Sequence, residues 1–270
     1  MSCEAPKRYA WAVPRQRRVN RGLYERRALV RKYAAKRMLY PAEAAVLERY
    51  RDDVAQRPVL EIGCGAGRLA AHLQPLTSRY VGIDISPHMV EYCQTLLPDL
   101  TFAVHDMNDL GAFADDGFST VFAIANVLDV VGHADRLGVL RAVHRVLAPG
   151  GLFVFSSHNL SWSQMGDPPR LELSLRPHVL ARRVVDHVLA RFQRARHKHL
   201  EQRTRDYAVV TDSGHDYTVL HYYIARKTQG HQLADHGFTL LDTLDLDGGS
   251  LADTDDDRRW PSLVYVARRN

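Results

Sequence analysis

The chain has 270 residues, 46% hydrophobic and 25% charged, with a formal net charge of +5, which is ordinary for one elaborated globular domain or a domain plus an insert. Three cysteines (Cys3, Cys64, Cys93) show neither metal-ligand spacing nor an even disulfide framework, so a disulfide-stapled scaffold is excluded. The longest apolar run, VFAIANVLDVV, is broken by Asn126 and Asp129, no apolar leader opens the chain, and a reducing, cytoplasmic setting is expected.

Charge is unevenly spread. Residues 1–37 hold twelve Lys/Arg (Lys7, Arg8, Arg15, Arg17, Arg18, Arg21, Arg26, Arg27, Arg31, Lys32, Lys36, Arg37) against Glu4 and Glu25, a net +10, and the remainder carries −5. Val19, Leu23, Val30, Tyr33 and Met38 recur at roughly helical spacing, which predicts a basic helix over 18–39. Such a helix is either a solvated face, neutralised by the acidic stretch DLDGGSLADTDDD, or an arm for nucleic acid or an acidic membrane surface. Pro41 breaks it and opens a second helix over 42–54.

The pattern then changes. PVLEIG, RYVGIDI, LTFAVHD, FSTVFAIAN and LFVFSSHN read as strands. GRLAAHLQPL, PHMVEYCQTLL and ADRLGVLRAVHRVL read as helices between them, the last ended by Pro149-Gly150-Gly151. Strands alternating with helices predict a doubly wound α/β fold, its parallel sheet covered on both faces. After residue 158 the alternation lapses. SWSQMGDPP reads as a loop and 175–205 as a long basic helix; DYAVVTD and DYTVLHYYI form a hairpin around Ser213-Gly214. A helix (ARKTQGHQLADHG) and two strands (FTLLDTLDLDG, SLVYVARR) close the chain.

The loop in VLEIGCGAGRLA invites a ligand. A dinucleotide fingerprint would put a small residue where Arg68 stands, and no Gly-Lys-Ser/Thr follows for a nucleoside triphosphate. The stretch Glu61-Ile62-Gly63-Cys64-Gly65-Ala66-Gly67 instead resembles motif I of the class I S-adenosylmethionine (SAM)-dependent methyltransferases. YVGIDIS resembles that family's acidic second motif, HDMNDL its third, VHRVLAPGGLFVFS its turn into strand five, and the two closing strands its sixth and seventh. The resemblance covers about residues 55–158 and 225–268. It implies a seven-stranded, mostly parallel sheet with an antiparallel last strand, to which the residue patterns above add a helical N-terminal extension and a helix-plus-hairpin insert after strand five.

The resemblance also implies a cofactor, SAM, and residues for it. Gly63, Gly65 and Gly67 let backbone approach the methionine and ribose parts. The helix N-terminus and Arg68 face the carboxylate. Asp84 accepts from the ribose hydroxyls, with Ile85 and Met89 along the adenine. Asp106 accepts from the adenine amino group and the Met107 N–H meets the ring. Asn126 faces the cofactor, while Tyr24 and Tyr33 close over it. Glu61 and Cys64 complete the loop, with no base partner to make Cys64 a nucleophile. Asp106, Asp109 and Asp129 lack distinctive metal spacing, and no metal is expected.

Methyl transfer needs alignment, and a base where the acceptor is a hydroxyl or ammonium. In an extended segment His215, Tyr217, Val219, His221 and Tyr223 share one face. His221, then His215, then His158 are the expected base or orienter. NVLDVV replaces the Asn/Asp-Pro-Pro-Tyr/Phe of adenine and glutamine methyltransferases, which favours a small-molecule acceptor, a secondary metabolite or glycan-related compound. An RNA or protein methyltransferase using the basic arm, and a non-catalytic SAM-binding protein, are the alternatives. The expected organisation is 1–54 as basic extension and cofactor lid, 55–158 as SAM-binding core, 159–224 as substrate-covering insert and 225–270 as the rest of the core. Oligomeric state is not specified by these patterns.

Overall fold

The computed structural model describes residues 19, 20, 22, 24, 27–171 and 173–270. Cys3, Leu23 and the first part of the basic arm, with Lys7, Arg8, Arg15, Arg17, Arg18, Arg21 and Arg26, lie outside the described residues.

Five strands, β1 (Val59–Ile62), β2 (Tyr80–Asp84), β3 (Thr101–Val104), β4 (Phe118–Ala123) and β5 (Leu147–Asn159), run parallel in the order β3-β2-β1-β4-β5. Three short strands follow, β6 (Gln202–Arg203), β7 (Tyr207–Thr211) and β8 (Leu220–Ile224). The last two are β9 (Phe238–Leu244) and β10 (Ser262–Arg269), with β10 antiparallel to both β5 and β9. The expected seven-stranded α/β core is therefore present, and β6–β8 extend it to ten strands.

Helices α1 (Arg27–Ala34), α2 (Pro41–Arg49), α3 (Arg51–Val54), α4 (Arg68–Leu73), α5 (Pro87–Leu96), α6 (His133–Val146), α7 (Pro177–His197) and α8 (Arg226–Ala234) complete the fold. β1 is buried at every position because both faces are covered. Val59 joins a cluster with Leu69, Leu73 and Val90 on one face, and Leu60 and Ile62 join Leu128, Val139 and Val143 on the other. That is the period of two expected of a strand between two helical layers.

Several boundaries differ from the sequence reading. The helix over 18–39 has lost its regular turn by Ala34, where Lys32 and Lys36 would repel at i,i+4. The 42–54 helix divides at Tyr50, whose φ of −112° and ψ of 28° leave the helical region. The 175–205 helix stops at His197 because Gln202 and Arg203 pair with Val209 and Ala208. The extended run over 216–224 begins only at Leu220: residues 213–215 form a 3-10 turn, and Asp216 and Tyr217 have φ of 52° and 59°. The alternation that put His215 on one strand face with His221 therefore does not apply.

The insert docks through a fork at the end of β5. β4 accompanies β5 only as far as Ala123↔Phe155. Beyond it, His158 and Asn159 take Tyr223 and Ile224 of β8 as neighbours, while His158 also pairs with Ser262 of β10. This attachment carries the hairpin over the carboxyl end of β4.

Candidate functional site

The carboxyl ends of β1, β2 and β4 open into a cavity of about 460 Å³, at the switch point between β1 and β4 where doubly wound sheets take ligands. Side chains from the N-terminal helical segment, the core and the insert all line it.

Gly63, Gly65 and Gly67 all have positive φ, at 69°, 53° and 76°, a region that side chains rarely adopt. Gly65 is the cavity-facing case: a Cβ there would point across at Tyr33, with Cδ1 at 3.7 Å. At Gly63 a Cβ would come within 2.2 Å of Val127, a packing constraint rather than a ligand one. The Gly65 N–H donates to Asp84 Oδ2 at 2.9 Å and the Ser86 N–H to Oδ1 at 2.8 Å. Asp84 thus ties the glycine loop to the end of β2 while lining the cavity. Burial pushes its carboxyl up, and the three backbone N–H groups of Ser86, Gly65 and Ile85 oppose that rise.

Ile85, Met89, Asp106 and Met107 also line the cavity. Asp106 Oδ1 accepts from the Asn108 backbone and side-chain amides at 2.9 and 2.7 Å. Asn126 follows β4 with φ 59°, directly after Ala125 at 59°, two consecutive left-handed residues, each costing on the order of 1 kcal/mol or more. Its N–H is held by Ser156 Oγ at 2.7 Å, and its Oδ1 is buried with no partner. An open backbone at Gly65 and an orphaned oxygen at Asn126 are the marks of a ligand cradle, and the donor and acceptor set fits a polar nucleoside.

Four expected cofactor residues stand behind the wall rather than on it. Glu61 accepts the Tyr80 hydroxyl at 2.5 Å, and burial pushes its carboxyl up to about 8. Cys64 hydrogen-bonds Cys93, and that bond together with burial pushes its thiol well up, the reverse of a nucleophile. Gly67 caps α4, packed against Cys93. Arg68, expected at the cofactor carboxylate, pairs with Glu43 through both Nη atoms, one at 2.7 Å, and its guanidinium lies 4.5 Å over the Tyr40 ring. Lys36, Tyr40 and Glu43 are the polar residues that do face the cavity there. Their sequence signal was lost in a run of other charges.

At the other end, His158, His215 and His221 all line the cavity. Each of two imidazoles is backed by a carboxylate. His221 Nδ1 lies 2.8 Å from Asp212 Oδ2, which also accepts the Tyr223 hydroxyl at 2.6 Å. His158 Nδ1 lies 2.8 Å from Asp129 Oδ2, and its Nε2 is 3.2 Å from Asn126 Nδ2. Burial raises the Asp129 carboxyl, but fully buried Arg136 at 2.5 Å and His158 pull it below its ordinary value. Asp212 is likewise raised by burial and brought well down by His221, His158 and Tyr223. His215 is different. Burial and the neighbouring His221 pull it down to about 4, and its Nε2 is 3.5 Å from the Tyr33 hydroxyl. Tyr24 meets the His215 ring edge-on with centroids 5.5 Å apart. Among the described residues, His158, Asp212 and His221 also hold metal-capable atoms within 4.8 Å of one another; those of His221 and Asp212 bond each other.

Sequence reasoning missed Asp212, Arg136 and Asn20. Asn20 Nδ2 donates to the carbonyls of Val130 and Leu220 at 2.7 and 2.8 Å, and its Oδ1 accepts the Leu220 N–H at 3.0 Å. It straps the N-terminal segment to the insert. Asp212 closes the strand DYAVVTD and carried a weak signal as a carboxylate nine residues before a histidine. Arg136 carried none.

Comparison with known proteins matches residues 59–151 to a family model described as a methyltransferase domain. A ubiquinone biosynthesis O-methyltransferase of Xanthomonas oryzae is 28% identical over 114 residues, 40% of this chain and 46% of the relative. Methyltransferase GfsG of Streptomyces halstedii is 34% identical over 107 residues, 37% of each chain. The chain thus spans less than half the length of these curated relatives. A crystal structure of Burkholderia thailandensis 1,6-didemethyltoxoflavin-N1-methyltransferase, with bound 1,6-didemethyltoxoflavin and S-adenosylhomocysteine, superposes with a TM-score of 0.60 at 14% identity, covering 100% of this chain and 92% of that one. A SAM-dependent methyltransferase structure from Clostridium acetobutylicum gives 0.59 at 13% identity, covering 86% and 93%. Residues 59–151 thus match a methyltransferase domain, and the seven-stranded sheet that carries them has the fold of these SAM-dependent methyltransferase structures.

Proposed function

We propose that the protein methylates an oxygen or nitrogen of a small molecule, using SAM held by the glycine loop, Asp84 and Asp106. One observation carries this reading: a single cavity has Asp84 and Asp106 on one wall and the carboxylate-backed His221 on the other. SAM, when bound, supplies a methyl group on a positively charged sulfur. Asp84 retains acceptor capacity for the ribose hydroxyls after taking its backbone bonds. Gly65 leaves room for the amino-acid chain, with Lys36 and Glu43 at hand for its two charges. The N-terminal segment and the insert keep water out and admit only a small acceptor.

His221 is the base. Its Nδ1–H donates to Asp212, which fixes the tautomer and turns the Nε2 lone pair to the acceptor. His158 is the orienter, since both its nitrogens are engaged by Asp129 and Asn126. His215, pulled down to about 4, is a weak base and a neutral wall. The test is purified protein with SAM and a panel of hydroxyl and amine acceptors, read by S-adenosylhomocysteine release. Release with at least one small acceptor is expected. SAM binding without release on any acceptor would leave a non-catalytic SAM-binding protein.

A further inference from the structure

Helix α7 has its amphipathic faces reversed. The row turned toward the body, Leu180, Arg183, His187, Ala190, Arg194 and His197 at three- and four-residue intervals, is mainly polar, with Val179 and Gln193 also part-buried. Arg194 Nη2 donates to the Gly166 carbonyl at 2.8 Å. The residues turned out are apolar. Val184, Val185, Val188, Leu189 and Phe192 are 41%, 57%, 58%, 54% and 62% exposed. They follow the i, i+4, i+8 rows that a helix of a globular domain turns into the core. Leu173 and Leu175, just before the helix, are 77% and 104% exposed.

Charge borders this stripe on both sides. At 100° per residue, Arg191 falls along one edge and Arg182 along the other, while Arg196 lies at the C-terminal end of the stripe, all three exposed. Asp186 is the one acidic residue between Pro177 and His197. An apolar stripe flanked by arginines matches a surface that is apolar below and anionic above: the apolar side chains enter the acyl boundary and the arginines reach lipid phosphates. No described helix is long and apolar enough to cross a membrane, so this one would lie in the interface. A second copy fits less well, because a two-fold pairing of α7 sets arginine against arginine with only Asp186 between. A nucleic acid would use the arginines and leave Val188 and Phe192 uncovered. The +10 arm over residues 1–37 adds charge of the same sign.

We propose that α7 is an interfacial membrane anchor that docks the protein on an anionic lipid surface. The test is co-sedimentation of the full chain with vesicles of phosphatidylcholine alone or with about a third phosphatidylglycerol. Pelleting with the anionic vesicles only, weakened by salt, is expected. The Val188→Glu/Phe192→Glu variant should lower partitioning about tenfold or more, as should Arg182→Gln/Arg191→Gln/Arg196→Gln. Both should keep wild-type far-ultraviolet circular dichroism and SAM affinity, since α7 does not reach the cavity. The proposal is overturned if anionic vesicles do not pellet the protein, or if Val188→Glu/Phe192→Glu pellets like wild type, which would assign binding to charge alone. It is also overturned if light scattering finds a dimer that this variant dissolves, or if transfer RNA binds and displaces the protein from vesicles without regard to Val188 and Phe192.

Discussion

On one side of the cavity the polar groups belong to short turns at the ends of β1, β2 and β3. On the other, His221 and His158 are each aimed by a carboxylate from a different element. Asp84 reaches its partners Gly65 and Ser86 through a loop and a turn that the sheet itself fixes. His221 depends on Asp212 across the β7–β8 turn, and His158 on Asp129, which depends in turn on Arg136 of α6. Asn20 then ties the N-terminal segment to this second side. The difference teaches that the wall proposed for the cofactor is held by the sheet itself, whereas the wall proposed for the acceptor is a coupled assembly of pieces far apart in the chain. Substitutions on the two sides should therefore separate binding of SAM from turnover.

The largest effect should come from His221→Ala, or from Asp212→Asn, which exchanges the charged acceptor for Nδ1–H for a neutral amide that also carries donors. Turnover should fall about 10²–10⁴-fold, the usual range for loss of a positioned base, with SAM affinity by calorimetry near wild type. Equal losses in both quantities would erase the contrast between the walls and make His221 structural. A chelator should leave turnover unchanged; a loss restored by a divalent cation would hand His158, Asp212 and His221 to metal binding.

Asp84→Ala works on the opposite wall. It leaves ribose hydroxyls and the Gly65 N–H unpaired, and SAM binding should weaken by about 1–3 kcal/mol. Turnover at saturating SAM should change far less than for His221→Ala. Unaltered SAM affinity would remove Asp84 from the cofactor site.

Asn20→Ala should cost about 1–2 kcal/mol of stability, since two buried carbonyls and one N–H lose their partner. Thermal denaturation measures it. Acceptor KM should rise more than SAM affinity falls, because the strap lies between the N-terminal segment and the insert. A rise confined to SAM would place the strap's effect on the other wall.

How much of each wall was legible follows the same division. The glycines, Asp84, Asp106 and Asn126 announced themselves because their partners sit within a few residues of a strand end. Arg68 was misread, since an arginine after a glycine loop points to an anion until Glu43 is known to lie beside it. His215 and His221 were found through an alternation that the 3-10 turn and the left-handed Asp216 and Tyr217 do not keep. Long-range pairing placed them together regardless. The pairing of Asp129 with Arg136 stayed hidden because a buried ion pair between a turn and a helix leaves no period in the sequence. The fork at β5 was likewise invisible: nothing in LFVFSSHN says that its last two residues exchange β4 for β8.

The smallest effect concerns His215, whose folded value is lowered from 6.5 to about 4. Between these values the unfolded chain binds a proton that the folded protein does not, so stability falls as pH drops below about 6.5 and levels off near 4. The buried Nδ1 of His215 has no partner to receive a proton, which is the same cause seen from geometry. His215→Gln removes this group from the balance. Its stability relative to wild type should improve by about 1 kcal/mol or less on going from pH 7.5 to pH 4.5, the modest figure reflecting partial solvent screening. His133 and His144 are also lowered by burial, but they are common to both proteins and cancel in the difference. Asp129 and Asp212, held down by their cations and hydrogen bonds, act below the carboxylate range and lie outside this window. Urea denaturation at the two pH values measures the difference. A difference that does not move with pH would mean that His215 accepts a proton in the folded protein, and it could then not be the neutral wall proposed for it.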